Sequence, residues 1–301
     1  MEEIEKREYV IITDSTTDMD ANYYKENDVP FIGFHYVIDD DEYIQYSENA
    51  LDIKTFYDKV RNGSMPKTSQ AAYEDLFNIF DKYAAEGKDI FYLCFSAALS
   101  GSYQTSLIAA KDAMEKYPEC TIKVVDSISA CGGEGLLLHY CVTRKNQGAD
   151  LEELYEYAEV LKYNINHIFT VDDLNHLHRG GRLSKLSAVV GGMLGIKPIL
   201  YFNDKGQLLP YSKIRGRKQA LMAMAKQMKA KYAVGENEEI FIHDADSRAD
   251  AEYLGKIIMD MMPDVKKIRY GDIGAVIGAH AGPATIALFF VGKNREPVEI
   301  K

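Results

Sequence analysis

The sequence has no tryptophan, only four cysteines, an excess of acidic over basic residues, and no long apolar run. Each shortage excludes something. Without tryptophan, aromatic bulk falls to 21 Tyr and 12 Phe, which can still fill a sizeable core in 301 residues. Cys94, Cys120, Cys131 and Cys141 show no C-x-x-C spacing. Neither a disulfide framework nor a metal site is encoded, and small buried hydrophobes are the expected role. The net charge of −11 repels a phosphate backbone and excludes nucleic acid as a general partner. The longest uncharged apolar stretch, LSAVVGGMLGI at 186–196, falls short of the ~18 residues of a membrane span. The first residues, MEEIEKREYVIITD, are charged where a signal peptide would be apolar. A soluble, cytoplasmic chain is expected.

What is present is alternation. Short apolar runs at 9–13, 90–95 and 122–126 are each followed by a turn or a helical pattern. Helices are predicted at 52–62, 72–86, 102–117, 132–147 and 151–163. Continuous β-rich runs of this kind suit a parallel sheet covered on both faces. Further strands are predicted at 168–171, 198–202, 207–213, 239–243, 265–270 and 284–291, with helices at 217–232 and 247–260. Asn203-Asp204-Lys205-Gly206 between two of them is a hairpin signal. The expected fold is α/β in two domains. Residues 1–165 form an α/β/α domain with a mainly parallel sheet, and 166–301 an α/β domain with a mixed or antiparallel sheet.

Several familiar motifs are missing. No G-x-G-x-x-G follows the first strand, and GGMLGIKP at 191–198 fails as a P-loop. CFSAALSGSYQTS at 94–106 is dense in hydroxyls but lacks the G-x-S-x-G elbow of a strained nucleophile. Ser96 is flanked by Cys94 and Ala98, and Ser100 by Ala98 and Ser102. The stretch reads as a strand end, a loop and a helix start, where free N–H groups and hydroxyls can cradle an anion or merely cap the helix. TDSTTD at 13–18 and VDSISACGGEG at 125–135 end strands in the same manner, and PKTSQ at 66–70 precedes a helix. In an open parallel sheet these ends share one rim. RGGRLSK at 179–185 and KIRGRK at 213–218 are basic islands in an acidic chain, either solvated surface or a patch for an anionic partner. His280, in GAHAGPAT between two apolar strands, is expected at a backbone turn where it could donate to a carboxylate.

IITDSTTDM, PKTSQ, FSAALSGSYQTS, VVDSISACGGEG, DDLNHLHRGGRLS, IKPIL, SKIRGRKQAL and AHAGP occur in this order. Together they resemble the DegV family of fatty-acid-binding proteins, from about Tyr9 to Val291. The resemblance implies a non-catalytic protein, without cofactor or metal, that holds one long-chain fatty acid between two domains. It would present that acid to a partner fatty acid kinase, which forms an acyl phosphate for phospholipid synthesis. Carried over, Thr68 and Ser96 would hold the carboxylate, with Ser69 and His280 beside or behind them. Arg182 and Arg215 would lie near the mouth where the kinase docks. The chain departs from the family pattern at Ala97, Ala71, Ala72 and Ala284, where the family usually has Ser, Pro, Ser and Gly. Residues 186–196 and Met222, Met224, Met228, Met259 and Met262 are candidates to line the tail tunnel. Burial of roughly fourteen methylenes is worth on the order of 11 kcal/mol before ordering costs. The competing reading is a serine hydrolase using Ser96 or Ser100 with His280.

Overall fold

The structure is a computed structural model and describes residues 7–183, 195–237 and 239–299. The first sheet contains β1 (Tyr9–Asp14), β2 (Phe31–Ile32), β6 (Asp89–Cys94) and β7 (Ile122–Asp126). Its order is β2-β1-β6-β7, and every pairing is parallel. All six residues of YVIITD are buried, as a central strand covered on both faces requires. A small antiparallel sheet stands beside it, made of β3 (His35–Ile38), β4 (Asp41–Ile44) and β5 (Lys67–Thr68). Its short strands leave no apolar period to read, and the sequence analysis missed them.

Helices α1 (Ala21–Glu26), α2 (Ile53–Arg61), α3 (Tyr73–Ala85), α4 (Ser102–Lys116), α5 (Gly132–Asn146) and α6 (Leu151–Leu161) belong to this half. Five fall within two residues of prediction; the short α1 was missed. Helix α6 starts at a reciprocal capping box between Asp150 and Glu153. Helix α3 starts at Ala72, which offers no side-chain cap. A serine there would accept from the first turn and add about 1 kcal/mol.

The second sheet contains β8 (Ile165–Thr170), β9 (Ile196–Phe202), β10 (Leu208–Arg215), β11 (Ile240–Asp244), β12 (Ile268–Asp272) and β13 (Ile286–Val291). Its order is β10-β9-β8-β13-β11-β12, antiparallel except for the β11–β12 pair. Helix α7 (Asn175–Arg179) follows β8. Helices α8 (Arg217–Lys231) and α9 (Arg248–Met261) cover one face, and α10 (Ala275–Ala281) precedes β13. Met224, Met228 and Met262 pack in the separate core under α8 and α9. Met259 is exposed. Met222 lines a surface pocket beside α8, and none of the five lines the space between the two sheets. Of the apolar stretch 186–196, residues 186–194 lie outside the described residues.

The other face of the second sheet meets the first half. Helix α5 packs on β8, β11 and β13. A Cβ at Gly133 would sit 2.0 Å from His167 Nε2, and one at Gly132 2.7 Å from His243 Cε1. Only glycine lets this helix end approach so closely. No helix among the described residues is long and apolar enough to cross a membrane.

A buried acid cluster sits beside the α5 start. Burial drives the Asp14 carboxyl up to about 6 and Asp18 up to about 7, and pushes Glu134 well above its usual range. A folded-state pKa above the unfolded ~3.9 means the native state binds the proton more tightly. The contribution of Asp18 is thus fully present below about pH 4 and lost as pH rises through about 7. Asp18 has a left-handed backbone (φ 50°) that asparagine tolerates. Asp18→Asn should therefore gain stability over the parent on the order of 2 kcal/mol at pH 8, and much less at pH 4. Urea midpoints at both pH values test this; a difference independent of pH contradicts it.

Candidate functional site

Between the two sheets lies a narrow, partly open cavity with about 80 Å³ of accessible space. Phe34, Phe95 and Leu99 of the first half form one wall. Phe169, Phe202 and Phe289 of the second sheet form another, and Val276 and Ile277 of α10 a third. Polar groups are few. Thr68, Ser69, Ser100, Arg182 and His280 are among them.

Three of these form a gate. His280 Nε2 and Thr68 Oγ1 are 2.7 Å apart. Arg182 donates from Nε to the Leu99 carbonyl at 3.1 Å and from Nη1 to the Gly180 carbonyl at 2.6 Å. Burial, and then the Arg182 charge, press the His280 pKa down to about 4, so its ring is neutral at pH 7. When His280 Nε2–H donates to Thr68, the threonine hydroxyl is left to donate outward. Burial also lowers the Arg182 pKa. Its partners are carbonyls that cannot neutralise it, so an anion beside it would be stabilised.

A second cavity adjoins the gate from outside. Its lining again includes Thr68, Arg182 and His280, together with Lys67, His176 and Arg179. No acidic side chain lines it among the described residues. A basic vestibule thus opens onto an apolar chamber through one polar gate.

The expected residues divide. Thr68, Ser69 and His280 come together at the cavity. His280 does so from the last turn of α10 rather than from a turn between strands; GAHAG has too few residues to display a helical period. Ser96 does not join them. Its hydroxyl donates to the Gly206 carbonyl at 3.1 Å, and its side chain is fully buried outside the cavity lining. It ties the β9–β10 hairpin to the first half. Ser96→Ala should cost about 1 kcal/mol of stability and leave ligand affinity within about threefold; a tenfold loss of affinity at unchanged stability contradicts this.

Arg182 lies in the gate and lines the vestibule as well as the chamber. Arg215 is exposed at the end of β10 and lines neither cavity. The hydroxyl-rich strand ends do converge, since Phe95 N–H donates to Asp14 and Ala97 N–H to Asp126. Yet their hydroxyls face each other and the backbone. Ser15 accepts from Phe34 N–H, Thr16 donates to Glu134, and Ser127 to the Ser129 carbonyl. They build the scaffold, not an anion cradle. Ser100 pairs with Ser102 at 2.8 Å, so neither candidate nucleophile is bonded to His280. Among the described residues no cluster of His, Cys, Asp and Glu could hold a metal.

Ala284 stands in the left-handed region (φ 59°), which favours glycine. Arg217 Nη2 donates to its carbonyl at 2.6 Å, fixing the turn after α10. Ala284→Gly should raise stability by roughly 0.5–1 kcal/mol in chemical denaturation; a loss contradicts the assignment of strain.

The profile of the DegV family, described as uncharacterised protein, matches residues 8–293. The chain is 42% identical over 291 residues to a DegV domain-containing protein of Clostridium perfringens, covering 97% of this chain and 100% of the relative. A Thermotoga maritima protein whose structure is described as revealing fatty acid binding function superposes with a TM-score of 0.82 at 27% identity. That match covers 95% of this chain and 99% of the other. A fatty acid binding DegV family protein from Streptococcus agalactiae does so with 0.82 at 28% identity, covering 96% and 100%. With its fold, its cavity between two sheets and its sequence aligned over nearly the whole length, the chain belongs to the DegV family.

Proposed function

We propose that this protein binds one long-chain fatty acid and presents its carboxylate to a partner fatty acid kinase. The acyl chain occupies the apolar chamber, and the carboxylate sits at the gate, held by the Thr68 hydroxyl and the Arg182 guanidinium. His280 orients Thr68, and Ser69 lies beside it. One observation carries this reading: Thr68, Arg182 and His280 line both the apolar chamber and the basic vestibule. A carboxylate between them has its tail buried and its oxygens facing outward. Solved relatives described as fatty-acid-binding support the ligand class.

The vestibule gives the kinase its approach. Lys67, Arg179 and Arg182 supply positive charge where ATP would deliver a phosphoryl group to the carboxylate. The acyl phosphate so formed would feed phospholipid synthesis. The chain itself contributes binding and orientation, with no nucleophile of its own. The experiment incubates the fatty-acid-loaded protein with a fatty acid kinase and ATP, then traps acyl phosphate as the hydroxamate. The expected result is hydroxamate that requires the kinase and falls sharply in Lys67→Ala/Arg179→Ala with lipid still bound. Unchanged turnover in that variant contradicts the role of the vestibule.

A further inference from the structure

The gate is held from behind as well as closed from in front. Helix α10 lies against the small antiparallel sheet, in contact with β3 and β5. Its residues Val276, Ile277, His280 and Ala281 line the chamber. Val276 and His280 are one helical turn apart and share a face. The last turn is tied to the small sheet through His280, whose Nε2 lies 2.7 Å from Thr68 Oγ1 in β5. The first turn is tied to it through Gln45, the residue that follows β4.

Gln45 is 4% exposed, and its amide is engaged at both ends. Nε2 donates to the Ser15 carbonyl at 2.7 Å and to Asp18 Oδ1 at 3.0 Å. Oε1 accepts from Val276 N–H at 2.8 Å, across 231 positions of the chain. That N–H belongs to the first turn, where no carbonyl of the helix itself can reach it. Two glycines make room for this docking. A Cβ at Gly274 would sit 2.5 Å from Gln45 Nε2, and one at Gly278 2.4 Å from the Tyr57 hydroxyl. Tyr57 in turn donates to the Ile273 carbonyl at 2.7 Å, just before α10. A helix of seven residues does not hold its place by its own bonds, so these contacts set where it lies.

We infer that Gln45 is a positioning residue of the gate. By fixing the first turn of α10 on the first half, it sets where His280 meets Thr68, and so where the Thr68 hydroxyl points. The inference rests on the fatty-acid reading above. Gln45 lines neither the chamber nor the vestibule. Its effect on affinity is therefore transmitted, and the residue that receives it is Thr68.

The test is a double-mutant cycle read by titration of stearate at pH 7. Gln45→Ala should weaken binding about fivefold and Thr68→Val about tenfold. The double variant should bind no more weakly than Thr68→Val, because the group that Gln45 positions is then gone. A merely structural role would make the two losses multiply to about fiftyfold. That result overturns the inference, as does unchanged affinity in a folded Gln45→Ala protein. The imidazole ¹H–¹⁵N spectrum gives an independent readout: the His280 Nε2 signal should shift in Gln45→Ala, and an unchanged signal overturns the inference. Coupling is also reciprocal. Saturating stearate should slow hydrogen exchange of the Val276 amide about fivefold in the parent protein and leave it unchanged in Thr68→Val. This measurement needs no Gln45 variant, so it decides alone should Gln45→Ala fail to fold. Exchange unaffected in the parent, or slowed equally in both proteins, overturns the inference. Stearate bound without dependence on Gln45 removes only this inference, whereas no stearate binding by the parent removes the fatty-acid reading with it.

Discussion

Arg182→Ala should lower the affinity for a long-chain fatty acid by roughly 10- to 100-fold, the worth of a charge-assisted contact in a partly desolvated site. Arg182 is half-buried at the gate and donates to the Leu99 and Gly180 carbonyls. Alanine removes the charge that offsets a carboxylate there. Lysine should restore part of the affinity, since it returns the charge without the planar fork. The neutral His280 cannot substitute at pH 7, because its pKa of about 4 keeps it uncharged. The measurement is a titration of stearate into parent and variant at pH 7, with thermal melts to check folding. Unchanged affinity in a folded Arg182→Ala protein would return Arg182 to the role of a kinase contact.

Arg295→Met should destabilise the fold by about 3–5 kcal/mol, read as a shift in urea midpoint. Arg295 is 1% exposed although it lies near the end of the chain. It donates to the Ile128 carbonyl at 2.6 Å, the Lys162 carbonyl at 2.5 Å, the Ser129 hydroxyl at 3.0 Å and the Asn203 carbonyl at 3.3 Å. One guanidinium thereby joins the loop after β7, the α6–β8 connection and the β9–β10 hairpin. Removing it leaves several buried acceptors without donors. A change below about 1 kcal/mol would mean that water replaces the side chain.

Local pattern reveals the long elements of this chain because each satisfies its own backbone. YVIITD is apolar throughout and buried throughout. Helices α8 and α9 begin and end within one residue of the predicted bounds. Elements made by tertiary contact escape. Helix α10 has only seven residues, and its glycines at 274 and 278 abut Gln45 and Tyr57 rather than follow a period. The site divides along the same line. Thr68 and His280 belong to segments whose residues resemble a family pattern, and they meet at 2.7 Å. Ser96 belongs to such a segment too, but its direction depends on Gly206, 110 positions away. Nothing local to CFSAALSG encodes that partner. Arg295 and His167 carry no sequence signal at all, because an arginine between Asn294 and Glu296 and a histidine in a strand become informative only when their neighbours in space are known.

The central claim is that the chamber between the two sheets holds one fatty acid with its carboxylate at the gate. Native mass spectrometry of the protein purified from cells supplied with long-chain fatty acid tests it most directly. The parent protein should show a mass excess of a single fatty acid, released on denaturation. Thr68→Val/Arg182→Ala should be folded and free of that excess. A parent protein that is strictly ligand-free and also binds no added fatty acid contradicts the account, as does a double variant that keeps its full complement of lipid.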